Sequence, residues 1–139
     1  MGLVHADIEI TNSIDKGLFN RGLIKESEIR KTNVNALVDS GAYMMCINET
    51  IKEQLGLDLI ETQVAELAKG TKDRYEIVGP IEVRFLNRST SCRALVLPGS
   101  AEVLPGSIPM EDLDVIMDPK NQTLSLPPDR PYVAQKSLK

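Results

Sequence analysis

The sequence contains no tryptophan, and aromatic residues make up only 4% of it. Hydrophobic residues nevertheless account for 42% of its 139 residues, so one modest core of aliphatic side chains and methionine is expected. This length predicts a single domain. No apolar run is long enough to span a bilayer, so we expect no membrane association.

Histidine and cysteine are also scarce, which argues against several kinds of site. His5 is the only histidine, and it lies on the polar face of an alternating segment, which argues against a catalytic triad. One histidine and two distant cysteines, Cys46 and Cys92, do not form a zinc-binding pattern. We therefore expect no metal and no cofactor. The sequence shows no secretion signal, so the cysteines are expected to be buried thiols in a cytoplasmic protein.

A strong excess of positive charge is missing as well. The chain has 16 basic and 20 acidic residues, which give a formal net charge of −4. Proteins that bind nucleic acids usually carry a basic patch or stripe. A nucleic-acid partner is therefore not expected.

Short strand patterns separated by turns run through the whole chain. Alternation of apolar and polar residues, or a short apolar run bounded by turn residues, is typical of strands. Strands are predicted at 4–10, 33–38, 43–47, 62–68, 74–78, 81–85, 92–97, 115–117 and 123–126. We expect a loop at 11–17, a break at Gly79-Pro80 and a turn at 87–91.

Two segments carry the signals of short helices. Asn48 is a good N-cap, Ile51 and Leu55 fall on one helical face, and Gly56 suits a helix end. Pro109 suits the first position of a second helix. Residues 18–31 are compatible with a surface helix or with an insertion between strands. The prediction is an all-β fold, a closed or partly open barrel with one or two short helices, over residues 1–126. Residues 127–139 are expected to form an extended, proline-containing tail.

The stretch Asn35–Ala42 carries the principal candidate residue. An apolar run brings Asp39 to the end of a strand, and Ser40, Gly41 and Ala42 follow. Asp-Ser-Gly alone is compatible with an ordinary turn, in which the carboxylate accepts hydrogen bonds from nearby amides. Its surroundings favour an active site, because an apolar strand, a capped helix, a hairpin with a glycine near its tip and a second Gly-containing run, Val103–Gly106, follow in that order.

This order resembles the retroviral-type aspartic peptidases (retropepsins), and most closely their small bacterial relatives, from Val4 to about Leu126. The resemblance implies that Asp39 is catalytic. It also implies that Ser40, Gly41, Ala42 and Gly106 support the active-site loop, and that Leu67, Ala68, Lys69, Gly70 and Thr71 form a flap that binds substrate.

The resemblance further implies a function. Retropepsins are symmetric homodimers in which each chain gives one aspartate, so this chain is expected to be an aspartic endopeptidase acting on a peptide or protein. Two departures favour an alternative. Pro105 precedes the glycine where the family has an aliphatic residue, and Lys69 and Lys72 make the flap charged. The alternative is a non-catalytic peptide-binding or interaction module on the same fold. A third possibility is an unrelated small β-barrel without an aspartyl dyad.

Overall fold

The computed structural model describes residues 3–38, 41–66, 70 and 72–131. The strands are β1 (Val4–Asn12), β2 (Lys31–Val38), β3 (Met45–Asn48), β4 (Asp58–Glu66), β5 (Lys72–Phe85), β6 (Arg88–Leu97), β7 (Ile116–Asp118) and β8 (Thr123–Ser125). The α-helices are α1 (Ser13–Asn20), α2 (Glu49–Leu55) and α3 (Ser107–Leu113), and Glu26–Glu28 forms a 3-10 turn. The prediction of a mostly β fold is confirmed.

The main sheet has the strand order β2-β1-β5-β6-β3, and β4 adds to β5. Its neighbouring strands are antiparallel, apart from β3 and β6, which run parallel. The short strands β7 and β8 pair with each other. Within the described part of the chain no ladder joins β2 to β3, so closure into a barrel is not confirmed and stays a prediction.

Strands β3, β5 and β6 are apolar on both faces. One face belongs to the main core, to which the three strands contribute Met45, Val78 and Val96. The other face carries a second cluster of buried side chains, Cys46, Ile77, Leu95 and Leu97. Successive residues of a strand point to opposite faces, so a continuous apolar run in each strand supplies both clusters.

The loop predicted at 11–17 is wrong, because β1 continues to Asn12 and α1 follows directly. The Asn12 side chain accepts hydrogen bonds from the amides of Ile14 (3.0 Å) and Asp15 (3.1 Å), which caps α1. Its Nδ2 also donates to the carbonyl of Leu55 at the end of α2 (2.9 Å). The described part of the chain thus has three α-helices, one more than the one or two expected. Of the polar residues that suggested a loop, Asn12 is the helix cap, and those from Ser13 onward belong to a short amphipathic helix.

Strand also continues through two other segments that were predicted to interrupt it. β5 runs through Gly79-Pro80, where its pairing with β6 shifts register between Val78 and Ile81. Proline is tolerated at such an irregularity, where one ladder amide is already unpaired. The turn predicted at 87–91 is present but shorter, at Leu86 and Asn87, since β6 begins at Arg88. Its polar residues alternate between buried and more exposed positions, as a strand requires.

The predicted helix after Asn48 is confirmed as α2. The Asn48 side chain accepts from the amide of Ile51 (2.8 Å), and Gly56 ends the helix in the left-handed conformation (φ 58°). Both Cys46 and Cys92 are free thiols, as predicted. Burial, with a smaller contribution from Asp112, raises the pKa of the Cys92 thiol to about 11, so this thiol is not a reactive one at neutral pH.

A buried carboxylate fastens α1 to the chain that leads into β2. Asp15 accepts from the Arg30 backbone amide (3.0 Å) and from Nε (2.8 Å) and Nη2 (3.0 Å) of its guanidinium. The Asp15 side chain is 7% exposed, and that of Arg30 is 50% exposed. The hydrogen bonds from the Arg30 side chain hold the pKa of Asp15 below its usual value, because they favour the charged carboxylate.

We expect Asp15→Asn to lower the free energy of unfolding by about 1–2 kcal/mol near neutral pH, a figure reduced for the solvent exposure of Arg30. A lowered folded-state pKa contributes stability above the unfolded value of about 4, and this is lost as pH falls through the folded value. The difference between wild type and variant should therefore shrink in acid. Urea unfolding at about pH 7 and about pH 2.5 measures it.

Asp129→Asn is the control for this comparison, because the Asp129 carboxylate is 75% exposed and forms only a surface ion pair. It should change the free energy of unfolding little at either pH. A constant difference between wild type and Asp15→Asn across the pH range would contradict the role assigned to Asp15.

Candidate active site

β2 leads directly into the candidate loop. Its last residue, Val38, is buried and pairs with Val4 of β1, so the strand is fixed up to the position before Asp39. Asp39 and Ser40 lie outside the described residues, and the chain is described again from Gly41. The geometry of the site is therefore given by what holds the two sides of this loop.

Residues 103–108 form hydrogen bonds to the chain on both sides of that loop, and we call them the crossing segment. Before the loop, the carbonyl of Val103 accepts from the amide of Leu37 (2.9 Å). After the loop, Leu104 exchanges two hydrogen bonds with Cys46, donating to its carbonyl (2.9 Å) and accepting from its amide (2.8 Å). A single segment thus ties the end of β2 to the start of β3, and the loop containing Asp39 lies between those two attachments.

The crossing segment then enters α3, and the first amides of α3 point back to the loop. The amide of Ser107 donates to the carbonyl of Ala42 (2.7 Å), and that of Ile108 donates to the carbonyl of Tyr43 (3.1 Å). The first amides of a helix have no partner inside it, so they are available to satisfy these carbonyls. The predicted short helix is confirmed, although it begins at Ser107, and Pro109 is its third residue rather than its first.

Gly106 lies in the closest approach of the two chain segments. A Cβ placed on it would be 2.4 Å from the carbonyl oxygen of Met44 and 2.7 Å from that of Ala42. Its φ of −85° is ordinary for any residue, so the requirement for glycine here is one of space. The family resemblance implies that Gly106 lies beside the loop, and the structure puts it against the backbone of residues 42–44.

Pro105 is fully buried within the crossing segment. The hydrogen bonds that tie the segment to its neighbours use the amides of Leu104, Ser107 and Ile108. None of them requires an amide at position 105, so the donor that proline lacks is not one of those that fix the loop. The proline is therefore compatible with the hydrogen bonds that hold the two ends of the candidate loop.

The predicted flap corresponds to the connection between β4 and β5, which pair in register from Glu61–Ile77 to Glu66–Lys72. Gly70 has a left-handed backbone (φ 76°), as the bend of a hairpin requires. Leu67, Ala68, Lys69 and Thr71 lie outside the described residues. Lys72 begins β5 and is exposed.

An apolar surface adjoins the candidate loop. Met44, Leu104, Tyr75 and Ala101 are partly buried and pack against the second cluster, Cys46, Ile77, Leu95 and Leu97. Met44 directly follows the loop, and Leu104 is paired with β3 beside it. Neither Met44 nor Leu104 differs in type from an ordinary core residue, so residue type does not mark them. Met44 is distinguished by its position just after the loop, and Leu104 by its hydrogen bonds to Cys46.

The acidic residues near α3 have structural partners. Asp114 accepts from the guanidinium of Arg130 (2.7 and 3.0 Å), and Asp118 accepts from the amide and side chain of Asn121. The bond from the Asn121 side chain lowers the pKa of Asp118. Over the residues that the structure describes, we find no group of three His, Cys, Asp or Glu side chains that could hold a metal ion. None of the described helices has the length and hydropathy needed to cross a membrane.

The chain matches one protein family and is similar to a solved structure over most of its length. A family model described as aspartyl protease matches residues 26–117, from before β2 to within β7. Among solved structures, the fold is similar to the retroviral protease-like domain of Ddi1 from Leishmania major, with a TM-score of 0.55 and 19% identity. That alignment covers 91% of this chain and 89% of the other, and at this identity it shows the fold alone. No curated protein matches the sequence.

Replacing Gly106 tests whether close approach positions the loop. We expect Gly106→Ala to lower the free energy of unfolding by about 1–3 kcal/mol or more, because its Cβ would overlap backbone atoms that cannot move independently. Thermal or urea unfolding of the variant measures this loss.

Gly17→Ala is the matched control. Gly17 lies in α1, and a Cβ there would meet nothing within 4 Å. The same substitution should raise the free energy of unfolding by about 0.5–1 kcal/mol, since alanine favours helix. Equal effects at the two glycines would contradict the steric explanation for Gly106.

Proposed function

This chain belongs to the aspartyl protease family, of the retropepsin-like type, and we propose that it is an endopeptidase in which two copies of the chain each contribute Asp39. The observation that carries the proposal is the crossing segment. It fastens the chain before and after Asp39 through backbone hydrogen bonds to Leu37, Ala42 and Cys46. An ordinary surface turn would not need a second segment bonded to both of its sides.

The chemistry requires two carboxylates. Peptide hydrolysis without a metal or a covalent nucleophile needs one group to take a proton from water and another to protonate the carbonyl oxygen. Two carboxyl groups about 3 Å apart share one proton, because both cannot be ionised at that distance. The charged member acts as the base and the protonated member as the acid. The two titrate as a pair rather than as separate residues.

The second carboxylate comes from a second chain in this proposal. Asp-Ser-Gly occurs once in the sequence, and a two-fold axis beside the loop would bring Asp39 opposite its own copy. In this arrangement Gly41 permits the tight turn, the Ser40 hydroxyl hydrogen-bonds to the partner's loop, and Ala42 is held through its carbonyl by Ser107.

The substrate in this proposal is an extended peptide. The hairpin tip of Leu67, Ala68, Lys69, Gly70 and Thr71 closes over it and pairs with its backbone by strand addition. The free thiols of Cys46 and Cys92 support a reducing compartment, so we assign the protein to the cytoplasm. The positive charge that Lys69 and Lys72 give the flap supports the alternative, a module on the same fold that binds a peptide without cleaving it.

We expect Asp39→Asn to reduce the cleavage rate of an unfolded protein by about 10³-fold or more, because an amide cannot transfer the protons that the pair must move. Cleavage of a reduced, unfolded substrate over pH 3–8 (about the range in which carboxyl pairs titrate) measures the rate. Asp58→Asn is the control, since Asp58 is an exposed acid at the start of β4. Undiminished cleavage by Asp39→Asn would reject Asp39 as the catalytic residue, and peptide binding without cleavage by wild type would favour the binding module.

Mixing wild type with Asp39→Asn tests whether two chains form one site. If chains re-pair at random, an equal mixture contains about one quarter wild-type dimers, so activity should fall to about one quarter of that of wild type at the same total protein concentration. Independent single-chain sites would instead keep about one half. Activity should be followed until it is constant, so that exchange of chains is complete.

A further inference from the structure

The last described residues fold back onto the domain, and we call residues 127–131 the C-terminal strap. The Asn87 side chain donates to the carbonyl of Pro131 (2.8 Å), and Nη2 of Arg88 donates to the carbonyl of Arg130. Arg88 is only 1% exposed, and its Nε and Nη1 have no hydrogen-bond partner among the described residues. A buried guanidinium is costly unless it is hydrogen-bonded, so the strap's carbonyl is an important acceptor for it.

The strap also binds the end of α3. Nε and Nη2 of Arg130 donate to the two carboxylate oxygens of Asp114 at 2.7 and 3.0 Å. Asp114 ends α3 with a left-handed backbone (φ 56°). Its side chain is 12% exposed and that of Arg130 is 34% exposed. A two-point contact between planar groups fixes orientation as well as distance.

The other end of α3 holds the active-site loop. Ser107 and Ile108, the first two residues of the helix, donate to the carbonyls of Ala42 and Tyr43. The helix is seven residues long, and its buried residues Pro109 and Leu113 seat it on the domain. A displacement at Asp114 therefore reaches Ser107 through less than two helical turns.

We propose that Arg130 is a positioning residue for the active-site loop. Through Asp114 it fixes the orientation of α3, and through the first amides of α3 it fixes the carbonyls of Ala42 and Tyr43. The catalytic part of this inference rests on the proposed function, whereas the mechanical part concerns only contacts within one chain. The strap is thus a part of the site's support that is supplied from the opposite end of the sequence.

Arg130 forms ion pairs with two carboxylates, and the two pairs can be compared with each other. The same guanidinium, through Nη1, contacts Asp129 at 3.0 Å, and that carboxylate is 75% exposed. Exposed ion pairs contribute little because water screens them. The contact to Asp114 is bidentate and much less exposed. Removing the Asp114 carboxylate therefore tests the positioning of α3, whereas removing the Asp129 carboxylate tests the effect of a surface charge alone.

Hydrogen exchange at single amides tests the mechanical part. In Arg130→Gln, the amides of Ser107 and Ile108 should exchange about tenfold faster, while core amides of β1 and β5 such as Ile10 and Val83 keep their wild-type rates. Arg130→Lys keeps the charge but loses the fork, so it should fall between the two. Asp129→Asn should leave all four rates unchanged.

Kinetics tests the catalytic part. Arg130→Gln should lower kcat about tenfold with KM nearly constant, because the variant displaces the loop that carries Asp39 and leaves the proposed substrate-binding hairpin tip, residues 67–71, unchanged. Asp114→Asn should have the same effect, since asparagine tolerates the left-handed backbone. The double variant should be no worse than either single variant if the two residues act as a unit.

Unchanged exchange at Ser107 and Ile108 in Arg130→Gln would overturn the inference. So would a uniform increase at all four amides, which would make Arg130 a general stabilising residue. If wild type cleaves no peptide at all, the proposed function fails. The exchange rates still decide whether the strap holds α3, because they require no catalysis.

Discussion

The hydrogen bonds of the crossing segment are the constraint on which the rest of this structure depends. The chain on both sides of Asp39 is held by another part of the sequence. Val103 and Leu104 bond to β2 and β3, and Ser107 bonds to the carbonyl of Ala42. Because these bonds join backbone atoms, the two segments approach so closely that Gly106 has no room for a side chain.

Three strands of the main sheet, β3, β5 and β6, are apolar on both faces over part of their length. One face of β3, β5 and β6 closes the main core, and the other supports the partly buried surface that contains Met44 and Leu104. Aliphatic side chains suffice for both layers, which explains how a chain with 4% aromatic residues forms a core. The same buried strands fix the position of the loop, since β2 and β3 cannot shift without disturbing that core.

Two bidentate arginine–aspartate pairs fasten peripheral segments to this centre. Arg30 and Asp15 hold α1 and the chain entering β2, and Arg130 and Asp114 hold the C-terminal strap to α3. In both pairs the carboxylate is largely buried and the arginine is more exposed. The arginine's long stem spans the boundary between core and solvent, so segments with few apolar residues acquire a defined position.

The sequence by itself predicted most of the strands, the cap and end of α2 and the candidate Asp39, and the resemblance to retropepsins implied that Gly106 lies beside the loop. Each rests on local patterning or on an ordered set of motifs that sequence preserves. Only the tertiary structure decided that β5 continues through Gly79-Pro80 and that Asn12 caps a helix. It also decided that the amides of Ser107 and Ile108 bond beside the loop and that Arg130 binds Asp114. These roles belong to backbone amides and to side chains whose partners are distant in sequence, so residue type carries no signal for them. Residue type also did not show that Pro105 is compatible with the loop. Only the hydrogen-bond pattern shows which amides hold the ends of the loop, and that of residue 105 is not among them.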